Sequence, residues 1–285
     1  MSKPSPKHNH EESCSPPTNA TLGTCIAPVN PRHGASKCET PATPQSGSPI
    51  ATKLVNNLGI DELRIRLAAL GPPENHIVYA YVVRTVRLRN GLLEQTGSGG
   101  NFDGDVVTLC TCKHGMRATL SSGEWRRKWI AGFTSYTAEF GHQQYLKYLM
   151  RVGEAYDSQF DLVQALRDSE RDAVVDSKDS RKNPVGDVFL PKSLLSDGDE
   201  NWHPASYQAP MVKHAHRHER DDTQWHNDIE YRDRYGRHPS LLVGDTAWTF
   251  VWNERLVRRA HPALVRGHRK WTLADLLLEL DPECP

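Results

Sequence analysis

The sequence predicts an α+β domain with a mostly antiparallel, barrel-like sheet and peripheral helices, preceded by a disordered N-terminal leader. Three observations lead there: many short β-branched or aromatic runs, few helical patterns between them, and a first fifty residues rich in Pro, Ser and Thr. Strands in close succession with few intervening helices argue against a doubly wound sheet.

Taken in order, residues 1–50 hold nine Pro, seven Ser, five Thr and three Gly. Their only large apolar residues are Met1, Leu22, Ile26, Val29 and Ile50, too few to offset the entropy of ordering, so 1–52 is expected to be disordered. Residues 53–75 read as a short helix and linker. Asp61 can cap the run to Leu70, Gly71 supplies a left-handed end, and Pro72-Pro73 stop it. The domain is expected over 76–285. It starts with Ile77 to Val83 continuing to Leu88, one long strand or two with a bend, then a turn at Asn90-Gly91 and a flexible loop at Gly97-Ser98-Gly99-Gly100-Asn101. Further strands are expected at Val106–Leu109, Arg126–Phe133, Leu146–Val152, Val185–Leu190 and Leu241–Trp252. Phe160, Val163 and Leu166 have helical spacing, Arg171 to Asn183 reads as a charged surface excursion, and Thr272 caps a last helix from Leu273 to Leu280.

Composition excludes several classes. Lys plus Arg and Asp plus Glu both number 35, which argues against binding nucleic acid through bulk charge alone. No apolar run approaches the ~18 residues of a membrane span, and the N-terminus lacks a signal-peptide core, so an intracellular protein without a membrane partner is expected. Six cysteines are too few for a disulfide scaffold. Neutrality conceals segregation. Lys113, Arg117, Arg126, Arg127 and Lys128 face only Glu124, and Arg255, Arg258, Arg259, Arg266, Arg269 and Lys270 have no acid among them. That pattern favours one focused anion pocket.

Three constellations could carry chemistry. Cys110-Thr111-Cys112 would place both thiols on one face of a strand, more often packed side chains than a zinc pair or a reactive thiolate. His214, His216 and His218 would share a face if extended and are weak metal candidates beside the simpler reading of a solvated loop. Trp248, Phe250 and Trp252 alternate ahead of the arginine cluster, as base stacking beside phosphate neutralisation requires, or as a core-facing row. The P-loop, G-x-G-x-x-G, G-x-S-x-G, H-E-x-x-H and deaminase patterns are absent.

The order of motifs resembles the second class of nucleotide modification associated domains, found in systems that hypermodify DNA bases. The resemblance spans about residues 76 to 271 and rests on Thr108, Leu109, Cys112, Lys113 and Arg117, then Trp129, Ile130 and Gly132, then Arg266, Gly267 and His268. The sequence departs from the family where Gly123-Glu124-Trp125 and Trp129-Ile130-Ala131-Gly132 split an expected G-D-W-I-x-G run. Trp129–Phe133 and Leu146–Val152 also look like the core of PUA and EVE domains, which lodge a flipped base beside a barrel mouth. The resemblance thus implies a PUA-like barrel that binds a modified nucleotide or base. Lys113, Arg117, Arg266 and Arg269 would hold phosphates, His268 a base or phosphate, and Trp248 or Trp252 would stack. The alternative is an enzyme acting on a nucleotide or DNA base, with His268 as acid or base or the histidine loop as a metal group. The sequence names no cofactor, and the leader offers a segment for partner proteins.

Overall fold

A computed structural model of the chain describes residues 54–193, 198–215, 221–261, 264 and 267–281; the leader expected over 1–52 lies outside them. The elements are α1 (Ile60–Ala68), β1 (Ile77–Val82), β2 (Val86–Arg89), β3 (Leu92–Gln95), β4 (Thr108–Leu109), α2 (His114–Arg117), α3 (Ser122–Trp125), β5 (Trp129–Phe133) and β6 (Leu146–Tyr156). After them come α4 (Gln159–Asp168), α5 (Asp172–Lys178), α6 (Asn227–Glu230), β7 (Leu241–Val251), β8 (Arg258–Arg259), β9 (His268–Thr272), α7 (Leu273–Glu279) and β10 (Leu280–Asp281).

The α+β class holds. Six strands form one mixed sheet in the order β4-β7-β6-β5-β1-β9. Four of its five pairings are antiparallel, but β1 and β5 run parallel, Val78 opposite Trp129 and Val82 opposite Phe133. Parallel neighbours need a long crossover, and here the β2–β3 hairpin, β4, α2 and α3 supply it. The order ends at β4 on one side and β9 on the other, so among the described residues the expected closure into a barrel is not made.

Local signals explain most elements. Asn90 and Gly91 both have positive φ, 50° and 80°, the backbone that a two-residue hairpin loop demands, and β2 pairs with β3 across them. Thr272 and Asp275 cap α7 reciprocally, and the Ser158 hydroxyl accepts from Asp161 N at the start of α4. Gly71 adopts the left-handed φ of 89° expected after α1, although Gly59, not Asp61, is the N-cap. Val185–Leu190 forms no strand; Val188 makes a single bridge with Asp179.

The sheet is buried on both faces, so β1 reads as a continuous apolar run. On one face Tyr79, Tyr81, Ile130, Tyr148 and Met150 pack with Cys112, Met116 and Trp125. On the other, Ala80, Trp129, Phe133, Leu149 and Phe250 meet Leu63 and Leu67 of α1 and Leu273 and Leu276 of α7. Each fully buried Leu there contributes about 1.5–3 kcal/mol. Beyond the expected surface excursion, Phe189, Tyr207, Trp225 and Ile229 form a small core of their own, in which Phe189 and Trp225 stack with centroids 5.4 Å apart.

One buried charge holds the hairpin to the sheet. Lys147 is 5 % exposed, and its Nζ donates to Leu93 O at 2.9 Å and Trp252 O at 2.8 Å. Burial pulls its pKa from 10.5 down to about 8, with Glu94 opposing. Between those values the unfolded chain holds a proton that the folded chain lacks, so this group adds stability as pH rises from about 8 to about 10. Unfolding free energies from urea melts are expected to climb over that range in the wild type relative to Lys147→Met, by up to about 3 kcal/mol. Parallel pH profiles for the two proteins would refute it.

Candidate functional site

The site grows from the turn after β4. Residues 110–112 bend rather than continue the strand, which sends Cys110 into the core beside α4 and Cys112 into the core beside Tyr81. The two thiols therefore do not share a face. Burial, then Asp187, pushes the Cys110 thiol well above its ordinary value, so it is inert as a nucleophile. Lys113 takes a left-handed φ of 61°, an uncommon conformation for a residue with a side chain. The kink leaves Lys113 half-buried while its neighbours Cys112 and His114 are buried.

Lys113 Nζ lies 5.0 Å from the centroid of the Tyr81 ring. His268 is the cross-strand partner of Tyr81, and its ring lies 5.9 Å from that of Tyr79. Directly opposed residues of an antiparallel pair point to the same face, so the Lys113 ammonium and the His268 imidazole form a polar lip over two tyrosines. Burial first, and the Lys113 charge second, lower the His268 pKa below 6.5, leaving a neutral imidazole at pH 7.

Behind the lip the floor is rigid. Tyr81 Oη donates to Gly99 O at 3.0 Å, so in the 2.7 Å bond between the two phenols Tyr148 is the donor. Desolvation raises both phenol pKa values, which keeps them neutral. Gly132 is required because a Cβ there would overlap the Tyr148 ring. The glycine loop, expected to be flexible, is buried: Gln95 Nε2 donates to Gly97 O and Gly100 O, both at 2.6 Å. Gly100 packs closely on the Tyr148 ring and Gly97 on Thr85, so these glycines serve close approach rather than mobility.

Arg117 is fully buried. Its Nε donates to Cys112 O at 2.7 Å, and Nη1 donates to Ser240 O at 2.8 Å and Pro239 O at 3.3 Å. Next to it His114 Nε2 meets Asp228 Oδ1 at 2.9 Å, both side chains being almost completely enclosed. Further in, Asp187 accepts from Thr108 Oγ1 and from Cys110 N, and Lys178 Nζ donates to Asn101 Oδ1 at 2.8 Å. These polar groups tie the ends of the Lys113 turn to Asp187, to Asp228 and to the chain entering β7.

Compared with protein-family models, curated proteins and solved structures, the chain matches none of them.

Of the residues singled out from sequence, the fold brings Lys113 and His268 together, with Arg117 enclosed one turn behind. Arg269 is exposed but pairs with Ala80, which places it on the opposite face of the sheet from His268. Trp252 is enclosed on that opposite face, where its Nε1 donates to Leu58 O at 2.7 Å, and half-buried Trp248 packs into the same core. Both tryptophans are therefore core elements and stand away from the lip. Buried His214 spends Nε2 on Gly186 O at 2.6 Å and sets its ring against Phe189. Arg266, His216 and His218 lie outside the described residues. Among the described residues no group of three His, Cys, Asp or Glu could hold a metal ion. Also among them, no helix is long and apolar enough to cross a membrane.

Sequence reasoning had not assigned roles to Tyr79, Tyr81 and Tyr148. The alternation Tyr79-Ala80-Tyr81 was the available signal, since it sets two phenol rings on one strand face.

Proposed function

We propose that this face of the sheet binds a nucleotide or base of a nucleic acid, with Lys113 and His268 at the phosphate or base edge and Tyr79 and Tyr81 beneath. The observation that carries the reading is the meeting of Lys113 and His268, far apart in the chain, above the buried rings of Tyr79 and Tyr81. A half-buried cation beside an imidazole suits an anionic ligand that also offers a hydrogen-bonding base edge. The resemblance to base-modification domains agrees with it, and the open sheet is read as a variant of the PUA-like base-binding scaffold. A modified base is the preferred ligand.

The test is fluorescence anisotropy with single-stranded oligonucleotides carrying cytosine or hydroxymethylcytosine, at several salt concentrations. Lys113→Ala is expected to weaken binding about tenfold and to lower the salt slope by about one phosphate contact. His268 gains charge only in acid, so affinity should rise as pH falls from about 7 to about 5. The rise should be up to about tenfold, the worth of one charge-assisted hydrogen bond, and should vanish in His268→Gln. No binding to either oligonucleotide, or binding untouched by both substitutions, would refute the reading. A neutral imidazole beside a cation also suits a general base. Conversion of the bound nucleotide, lost in His268→Gln, would mark the protein as an enzyme.

A further inference from the structure

A second surface adjoins the lip. Between α6 and β7 the chain makes a short finger whose residues 231–238 carry Arg232, Arg234 and Arg237 against the single acid Asp233. The finger is closed at its base. Asp233 N donates to Arg237 O at 2.9 Å, and Asp233 Oδ1 accepts from Tyr235 N and Arg237 N, both at 2.8 Å. Gly236, with φ of 80°, makes the reversal that side chains resist. At the tip Tyr235 is 66 % exposed, with the Arg234 guanidinium 4.7 Å and that of Arg237 5.6 Å from its ring centroid.

The finger is gripped at both roots by α2, the helix that follows Lys113. Tyr231 stacks on His114, centroids 4.9 Å apart and planes 21° apart, and Arg117 holds the carbonyls of Pro239 and Ser240. Arg237 Nη1 also reaches Thr119 O at 3.4 Å, just beyond the end of that helix. Tip and lip thus hang from the same short stretch of chain.

We propose that the Arg232–His238 finger is a contact surface for single-stranded nucleic acid, so that the ligand of the Lys113–His268 site is a strand rather than a free nucleotide. The proposal rests on the reading of that site given above. An exposed ring edged by guanidinium groups offers one π-face for an unstacked base and cations for its flanking phosphates. A duplex keeps its bases stacked and gives the ring nothing to hold. An acidic peptide would use the arginines and leave the ring idle.

The experiment uses the full chain, a labelled oligothymidylate of about ten nucleotides, within the span such sites cover, and thymidine monophosphate. Tyr235 and Arg234 are exposed, so Tyr235→Ala and Arg234→Gln leave the core intact. Tyr235→Ala is expected to weaken strand binding about tenfold or more, and Arg234→Gln to lower the salt slope by about 0.7. Neither should alter binding of the mononucleotide. Unchanged strand affinity in Tyr235→Ala, with loss in Lys113→Ala, would overturn the finger and leave the site standing. Loss in Tyr235→Ala with none in Lys113→Ala would support the finger and overturn the site. Displacement of the strand by polyglutamate as readily as by unlabelled strand would overturn the finger as a nucleic-acid surface.

Discussion

Lys178→Met is expected to cost about 3–5 kcal/mol of folding stability, the usual result of stripping one partner from a buried pair of charges. Lys178 and Asp187 are both fully buried, and burial pushes their pKa values in opposite directions, the lysine down and the aspartate up. The ammonium is the largest influence holding the Asp187 carboxyl down. Without it the carboxylate keeps its bonds from Thr108 and Cys110 but loses its counter-charge, and takes a proton instead. The sign of the pH effect follows. A carboxyl whose folded pKa is raised binds more protons folded than unfolded, so its contribution to stability falls as pH rises from 3.8 through the folded value. In the variant that window reaches higher, so the deficit should be largest near neutral pH and shrink toward about pH 5. Melting curves of wild type, Lys178→Met and Lys178→Met/Asp187→Asn would check it. The double variant should recover about 1 kcal/mol, the coupling of two buried charges that act on each other without a direct ion pair. A deficit independent of pH, with no recovery in the double variant, would show that the lysine acts by packing alone.

That pair also shows where sequence reading stops. Residues 171–183 look like a solvated excursion because charged side chains are seldom fully buried. Yet the same stretch delivers Lys178 and Asp179 to the interior. Gly186 is what allows it: a Cβ there would meet Lys178 O at 2.6 Å and Ser180 N at 2.9 Å, both immovable backbone atoms. Elements fixed by local chemistry were legible, among them the Asn90-Gly91 hairpin, the Thr272 cap and the Tyr79-Ala80-Tyr81 alternation. Features settled by partners distant in the chain were not. The parallel β1–β5 pairing depends on the end at which a long crossover re-enters the sheet. The row Trp248-Phe250-Trp252 was legible as a row, but only its packing partners α1 and α7 decide that it faces away from the lip. Lys113 and His268 were legible as polar candidates, and their meeting required the pairing of β9 with β1.

Arg117 gives the second large effect and separates two roles that the sequence alone leaves joined. The motif suggests a phosphate ligand, whereas the enclosed guanidinium spends Nε and Nη1 on three backbone carbonyls, and its Nη2 is buried without a partner among the described residues. Burial is the first cause lowering its pKa, with surrounding acidic groups opposing. Arg117→Met should therefore cost about 3–5 kcal/mol, because carbonyls on two separate segments lose a shared donor while Asp228 and Asp187 lose a nearby positive charge. Arg117→Lys keeps the charge but has no fork to span Cys112 and Ser240, so it should restore only part, leaving a loss of about 2 kcal/mol. Function should follow position rather than charge. Studied at low temperature, where Arg117→Lys remains folded, strand affinity should drop because the Lys113 turn and the roots of the finger lose their common anchor. The salt slope should stay at the wild-type value, since no phosphate contact has been removed, whereas Lys113→Ala lowers it. Full stability in Arg117→Lys, together with a reduced salt slope, would instead make Arg117 a phosphate ligand and require the turn to open when the strand binds.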